Sequence, residues 1–360
     1  MIHRYLLSAS LILLASFTFI SCSKQNNSPV TPPDTTATPE KWMVSTFAGS
    51  GETGTQDGDS TSAQFHYPTG IAFDSHGNLF VADLFNFNIR KITPGRKVTT
   101  YAGRDVHDSV GLEYGNIYGL RIDGNDNMYV IDYSFIRKVE SPLKSEIFAG
   151  TLDVDFKDGA DTSARFNLIA KMAIDAGNNI YVPDYDMQYY FKIRKVSPAA
   201  VVSTLNITDN TGFPSNGSAS GGYLAAIAVD NDGNIYVTGN GNNLIKKITP
   251  DGVATVFAGA GNIGFRDGKG SDAQFNNIAG LATDASGNVF VVDGSNNAIR
   301  KITPDGTVTT IAGTGAAGFA DGDGKSAKFY NPSDIVVDKK GNLYVSDSHN
   351  NRIRKLEKVN

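Results

Sequence analysis

The chain repeats one pattern of apolar and polar positions six times between residue 70 and its C-terminus. In each copy an apolar run ends at an aspartate, a polar stretch with an asparagine follows, and a second apolar run begins. An Ile-basic-Lys strand comes next, and most copies continue into a VTT-type strand. The copies are GIAFDSHGNLFVAD from Gly70, GLRIDGNDNMYVID from Gly119, KMAIDAGNNIYVPD from Lys171, AIAVDNDGNIYVTG from Ala226, GLATDASGNVFVVD from Gly280 and DIVVDKKGNLYVSD from Asp334. Four short strands in about 50 residues predict a propeller blade.

The polar stretch between the two apolar runs predicts a tight hairpin turn. Only Gly, Asn or Asp stands immediately before its asparagine, and these residues tolerate a left-handed backbone. The aspartate that ends each first run can accept hydrogen bonds from its own turn. We therefore interpret the six leading aspartates as structural rather than catalytic: Asp74, Asp123, Asp175, Asp230, Asp284 and Asp338.

Counting strands predicts how the ring closes. The sixth repeat ends after its third strand, whereas an additional strand, Val44–Gly49, precedes the first repeat and matches the fourth strands at 98–103 and 308–313. Pairing of these two segments would remove the open edges of the ring. The sequence thus predicts an all-β, six-bladed β-propeller with four-stranded antiparallel blades over residues 42–360, the last blade being completed by the N-terminal strand.

The motif D-x-x-G-N-[IL]-[YF]-V-x-D followed by N-x-I-R-K-I resembles NHL repeats over essentially all of residues 42–360. The resemblance implies a compact propeller whose relatives are mostly interaction modules. A minority of similarly folded proteins are enzymes: lactonases, a zinc-dependent amidating lyase and strictosidine-synthase-like proteins. The fold by itself does not choose between these functions.

The N-terminus predicts export and lipid anchoring. A basic start and an apolar run over residues 1–21 are typical of a signal peptide. The segment Phe19-Ile20-Ser21-Cys22 resembles a bacterial lipobox, and Cys22 is the only cysteine of the chain. Residues 22–41 are rich in Pro and Thr and predict a flexible linker. We expect a lipoprotein of the cell envelope, with Ser23 favouring the outer membrane. The net charge of −5 argues against a nucleic-acid partner.

Alternating strand directions separate the connections onto two faces. The long-loop face carries the second-to-third loops and the crossovers between blades; the short-turn face carries the remaining turns. Aromatic residues gather on the long-loop face of the second and third repeats, and they suit a protein or glycan ligand because they offer large apolar area at low entropy cost. The alternative is that they cover neighbouring loops. The candidates are Tyr133, Phe135, Tyr185, Tyr189 and Tyr190.

Three innermost-strand positions depart from the Gly or Ala of the other repeats. Arg121 occupies an Ala position, and Lys171 and Asp334 occupy Gly positions. The third and sixth repeats lie opposite each other in a six-fold ring, so Lys171 and Asp334 are expected to face the central channel. They predict either a ligand site at the channel mouth or a polar channel filled with water.

Metal chemistry is weakly supported. His66, His107 and His349 fall on the long-loop face, and three histidines can hold zinc, although their spacing is not that of a local zinc motif. Four crossovers share an Asp-Gly element that could suggest calcium, yet one recurring carboxylate per loop is few for that ion. We interpret these loops as structural, with the phenylalanine that ends each one plugging the space between blades. The regular Arg and Lys residues of the third strands are expected to pair with the repeated aspartates. No cofactor is expected.

These observations favour a non-enzymatic binding or scaffold propeller that recognises a protein or glycan through its long-loop face. The alternative is a metal-assisted, lactonase-like hydrolase or lyase with its site at the channel mouth. No serine or cysteine nucleophile motif is present.

Overall fold

A computed structural model describes residues 40–103, 117–185, 191–209, 226–238 and 243–359. Alternating apolar positions fold into six sheets around a central channel, and the four main strands of each sheet are antiparallel, as the repeat pattern predicts. In the first three blades, from the channel outward, the strands are Pro68–Phe73, Leu79–Asp83, Asn88–Ile92 and Lys97–Gly103; Ile117–Ile122, Met128–Asp132, Phe135–Ser141 and Lys144–Gly150; Ala173–Ile174, Ile180–Tyr185, Phe191–Val196 and Val201–Thr204.

The remaining three blades follow the same order. Their strands are Ile227–Val229, Ile235–Thr238, Asn243–Ile248 and Val253–Gly261; Ile278–Thr283, Val289–Asp293, Ala298–Ile302 and Thr307–Ala312; Asp334–Val337, Leu343–Asp347, Arg352–Val359 and the N-terminal Lys41–Ala48. The sixth blade packs against the first through their innermost strands, which closes the ring. The six-bladed, all-β propeller is confirmed.

The N-terminal strand completes the sixth blade as predicted. Lys41–Ala48 pairs antiparallel with Arg352–Val359, with Lys41 opposite Val359 and Val44 opposite Leu356. The strand begins one residue before the predicted boundary of the propeller, and Glu40 forms ion pairs with Lys301 and Lys358. The predicted signal peptide, Cys22 and nearly all of the linker lie outside the described residues.

The four predicted strands are present in every blade, and most blades carry a short addition at the outer edge. Five of the six described sheets carry a fifth, two-residue outer strand. In four of them this strand begins at the glycine of the Asp-Gly element, so the crossover pairs with the outermost strand of the blade that follows it and covers that edge. The fifth strands are Gly58–Asp59, Gly159–Ala160, Thr208–Asp209, Gly268–Lys269 and Gly322–Asp323.

The core lies between neighbouring blades, where the apolar faces of adjacent sheets meet. The phenylalanine that ends each Asp-Gly crossover is completely buried there, as predicted: Phe65, Phe166, Phe275 and Phe329. The leading aspartates organise their turns, as predicted. Asp74, for example, accepts hydrogen bonds from the backbone N–H and the Nδ2 of Asn78 at 2.8 and 2.6 Å.

The second-to-third loops of the first, fifth and sixth blades form short 3-10 turns. These are Leu84–Asn86, Gly294–Asn296 and Ser348–Asn350; two more, Asp161–Ser163 and Gly270–Asp272, lie in crossovers. No helix within the described part of the chain is long and apolar enough to cross a lipid bilayer.

Candidate functional site

A buried arginine ties the crossover to its blade in four of the six repeats. Each third-strand arginine has no exposed surface, and its guanidinium lies between two carboxylates. Arg300, for example, donates from Nη1 to Asp293 at 2.7 Å and from Nη2 to Asp267 at 2.7 Å. The equivalent sets are Asp83–Arg90–Asp57, Asp184–Arg194–Asp158 and Asp347–Arg354–Asp321. We call this arrangement the arginine clamp.

The arginines pair with repeated aspartates, as expected, and the clamp shows which ones they use. The arginines pair with the aspartates that end the second strands and with the Asp-Gly aspartates, not with the leading aspartates. The lysine that follows the arginine lies instead over the ring of a second-strand aromatic residue, as Lys91 does over Phe80 at 5.7 Å. The regular basic residues therefore serve the scaffold.

The clamp also gives the aspartate of each Asp-Gly crossover a structural role. Asp267 accepts hydrogen bonds from Arg300 and from both the N–H and the Oγ1 of Thr310 on the fourth strand. Its carboxylate is thus committed to protein donors. Among the residues that the structure describes, no group of three or more His, Cys, Asp or Glu side chains is placed to hold a metal ion. Calcium binding stays a prediction without a built set of ligands.

Burial raises the pKa of inner carboxylates of the clamp. It raises the pKa of Asp83 to about 6, against the opposing hydrogen bonds from Asn86 and His66 and the charge of Arg90. It likewise raises the pKa of Asp184 to about 7, against the backbone N–H of Asn167 and the charge of Arg194. These groups sit inside the blades rather than in a cleft, so the shifts reflect structural burial.

The second blade departs from the clamp. Arg137 pairs with Asp132 at 3.1 Å, but its crossover has no Asp-Gly element, and the arginine side chain keeps 15% exposure. Its second-to-third loop is also two residues shorter than in the first blade, since five positions instead of seven separate the aspartate from the arginine. A tight hairpin with Tyr133 in the left-handed region (φ 57°) replaces the 3-10 turn.

The shortened loop leaves a pocket of about 300 Å³ between the second and third blades on the long-loop face. We call it the blade 2–3 pocket. It is lined by Tyr133, Ser134, Leu152, Val154, Asn167, Leu168 and Tyr185. Tyr133 is 58% exposed at its rim, whereas Tyr185 is buried in its wall. The lining is therefore mostly aromatic and aliphatic, which is typical of small-ligand and side-chain pockets.

The equivalent space between the fifth and sixth blades is bridged by an asparagine. The Oδ1 of Asn297 accepts from the N–H of Asn331 at 2.8 Å, and Asn351 accepts from Tyr67 at 3.0 Å at the next junction. In the third blade, Leu168 exchanges two backbone hydrogen bonds with Tyr185 instead. The Nδ2 of Asn167 is buried at the pocket and contacts no hydrogen-bond acceptor among the described residues. The pocket lining thus combines apolar side chains with the hydroxyl groups of Tyr133 and Ser134.

The other aromatic candidates differ in where the structure places them. Phe135 was expected on the surface, but it is buried, and its ring contacts the Arg137 guanidinium at 5.3 Å; the strand pairing that begins at this residue turns it inward. Tyr189 and Tyr190 lie outside the described residues. The aliphatic residues Leu152 and Val154 were missed. A signal existed, because Leu152 stands where the three other Asp-Gly crossovers have glycine.

Arg121, Lys171 and Asp334 meet in the central channel. The guanidinium of Arg121 binds both oxygens of Asp334, at 2.7 and 3.1 Å, and the N–H of Ile71 donates to the same carboxylate. The Nζ of Lys171 lies 4.0 Å from Asp334 and donates to the Ser333 carbonyl at 3.0 Å. Burial alone would raise the pKa of Asp334, but the charges of Arg121 and Lys171 hold it below its ordinary value. We call these three residues the channel cluster.

The two described histidine candidates belong to an aromatic stack at the junction of the sixth and first blades. His349 stacks on Tyr330 at 4.5 Å between ring centroids and contacts Tyr67, and His66 contacts Phe85. Burial lowers the pKa of His349. The third candidate, His107, lies outside the described residues. The rings of His66 and His349 therefore pack against aromatic neighbours.

Comparisons with known proteins agree with this architecture. The NHL repeat model matches residues 329–356, and a beta-propeller repeat model matches residues 223–246. These matches support a propeller of the NHL type. SUPPRESSOR OF QUENCHING 1 of Arabidopsis thaliana is 24% identical over 86% of this chain, and Teneurin-3 of Danio rerio is 26% identical over 87%. The chain spans 27% and 13% of the length of these two relatives.

Similar solved structures include binding proteins and an enzyme. A protein of unknown function from Bacteroides thetaiotaomicron is 26% identical, with a TM-score of 0.68 over 88% of this chain and 76% of its own. An auxiliary nutrient binding protein from Bacteroides ovatus is 18% identical, with a TM-score of 0.68 over 89% and 78%. A gluconolactonase from Xanthomonas campestris is 12% identical, with a TM-score of 0.55 over 82% and 87%. The last two likenesses concern the fold alone.

Proposed function

We propose that this chain is a non-enzymatic binding or scaffold propeller that recognises a protein or glycan through its long-loop face. The observation that carries the proposal is the blade 2–3 pocket, where a shortened loop leaves an apolar concavity with Tyr133 exposed at its rim. Apolar concavities with a few polar groups are the usual form of ligand sites. The nutrient binding protein with the same fold is consistent with a binding role.

The test is a protein and glycan binding array with the purified propeller, followed by titration of the best ligand. We expect Tyr133→Ala to weaken binding at least about tenfold, as removal of an aromatic anchor does. Tyr330→Ala is the matched control, because Tyr330 is similarly exposed on the same face but lies at another blade junction. A double Tyr189→Ala, Tyr190→Ala variant tests the remaining aromatic candidates. Unchanged binding by Tyr133→Ala would refute the location.

We further propose that Cys22 is acylated and anchors the propeller to the bacterial cell envelope, at the outer membrane, with residues 23–39 as the tether. The support is the lipobox-like segment before the only cysteine. Incorporation of labelled palmitate by the wild type and its loss in Cys22→Ser is the expected result. A Cys22→Ser variant that still labels and stays in the membrane fraction would contradict it.

The second candidate function is a metal-assisted, lactonase-like hydrolase or lyase at the channel mouth. Its support is the fold shared with a gluconolactonase and the acidic Asp334 in the channel. Both oxygens of that carboxylate are already occupied by Arg121, which disfavours it as a metal ligand. Lactone hydrolysis that EDTA abolishes and Asp334→Asn removes would establish this alternative.

A further inference from the structure

The channel cluster brings two basic side chains to a single carboxylate. Arg121 and Lys171 share the single carboxylate of Asp334, and burial lowers the pKa of Lys171 against the charge of Asp334. Asp334 is completely buried and Lys171 nearly so. An excess charge away from water is costly unless a counter-charge or solvent reaches it. Arg121, whose side chain keeps 14% exposure, is the group of the cluster that an anion can reach.

Arg121 is accessible from the short-turn face. The channel there widens into a cavity of about 260 Å³, to which the innermost strands of all six blades contribute. Arg121 is the only charged residue among the described residues that line it, and the others are mainly aliphatic, such as Ile174, Leu281 and Val336. This channel cavity thus has a cationic end and apolar walls.

Arg121 retains donors for a ligand. Its Nη1 donates to Asp334 and to the carbonyls of Ile71 and Leu120, and its Nη2 donates to Asp334. A guanidinium has five N–H groups, and the Nε–H donates to none of the residues that the structure describes. A planar carboxylate needs only one or two such donors, whereas a dianionic phosphate needs more.

We propose that the channel cavity is a binding site for a short aliphatic monocarboxylate, with the carboxylate at Arg121 and the hydrocarbon body between the innermost strands. The cavity has the volume of about nine liquid waters, which sets the size at a chain of about four to eight carbons. This site is on the opposite face from the blade 2–3 pocket and does not depend on it.

Isothermal titration of the propeller with acetate, butyrate, hexanoate and octanoate tests the site, with the primary alcohols of equal length as matched neutral probes. We expect saturable one-to-one binding of the middle-length carboxylates, weaker binding of acetate, and at least about tenfold weaker binding of the alcohols, because hydrogen bonds to charged groups exceed neutral ones. Equal affinity for alcohols, or no saturable binding of any carboxylate, would overturn the proposal.

Two variants test the contributions of the Arg121 charge and of the cavity volume to binding one at a time. Arg121→Met is expected to abolish the preference for carboxylates over alcohols. Since this change could also unfold the ring, Ala282→Leu provides a second variant that fills the cavity but leaves the cluster unchanged. We expect Ala282→Leu to lose both carboxylates and alcohols while its circular dichroism stays that of the wild type. Carboxylate binding that survives Ala282→Leu would contradict the site, and Tyr133→Ala is expected to leave it intact.

Discussion

The fifth and second blades share one fold but hold their crossovers differently. In the fifth blade the arginine clamp joins the third strand, the second strand and the crossover through Asp293, Arg300 and Asp267. In the second blade Arg137 has the inner carboxylate Asp132, the Asp-Gly element is missing and the adjacent loop is shorter. The blade 2–3 pocket lies at this irregular blade. The pocket forms where the blade that lacks the clamp meets the third blade, which keeps it.

The largest effect is expected from removing a clamp arginine. Arg300→Met leaves Asp293 buried without its cation, which costs about 3–5 kcal/mol of unfolding free energy. Arg137→Met in the second blade also leaves a buried carboxylate, Asp132, but at a partly exposed arginine that solvent can replace, so we expect a smaller loss of about 1–3 kcal/mol. Denaturant unfolding of the two variants measures the difference. Equal losses of unfolding free energy would mean that neither Asp267 nor the complete burial of Arg300 adds to stability.

The channel cluster provides a pH-dependent comparison. Asp334→Asn leaves Arg121 and Lys171 buried without a counter-charge, and we expect a loss of about 3 kcal/mol at neutral pH. Because the folded pKa of Asp334 is below its ordinary value of 3.8, the stabilising contribution is present above that value and is lost as the pH falls through the folded pKa.

The unfolding free energies of wild type and Asp334→Asn should therefore converge as the pH falls below about 4. Denaturation series at several pH values measure this. A gap that stays constant down to acid pH would show that the carboxylate contributes through shape rather than charge.

A smaller effect is expected from the outer half of the clamp. Asp267→Asn weakens the hydrogen bonds from Arg300 and Thr310 at a half-exposed position, which costs about 1 kcal/mol. Limited proteolysis should then cut the crossover 258–275 faster than in the wild type. Asp272→Asn, in the same crossover and exposed, is the control and should change neither measurement.

The smallest change in stability is expected from repairing the irregular blade. Replacing Tyr133-Ser134 by the Gly-Ser-Asn-Asn turn of residues 294–297 supplies the bridging asparagine that the fifth blade has. We expect a change within about 0.5 kcal/mol, since the turn is on the surface. The blade 2–3 pocket should close, and ligand binding should fall to background. Retained binding after the exchange would separate the ligand site from the shortened loop.

Much of the scaffold could be predicted from local rules. Asp74 and Asn78 stand four residues apart in a turn that allows few backbone shapes, so the hairpin follows from their chemistry. The closing strand was recognisable because it repeats the fourth strands of other blades. The burial of Phe135 was not foreseen, because a residue that begins a strand can face either side and only the register decides which.

The sequence by itself determined the six blades, their turns and the closure of the ring, because a repeat imposes the same short-range geometry each time. It also singled out Arg121, Lys171 and Asp334 as departures. Only the tertiary structure decided that these three residues meet, that the arginines pair with two aspartates from separate segments, and that Leu152 and Tyr133 share one pocket. Those contacts join residues from different blades or loops, and long-range distances depend on how the whole ring closes rather than on any local pattern.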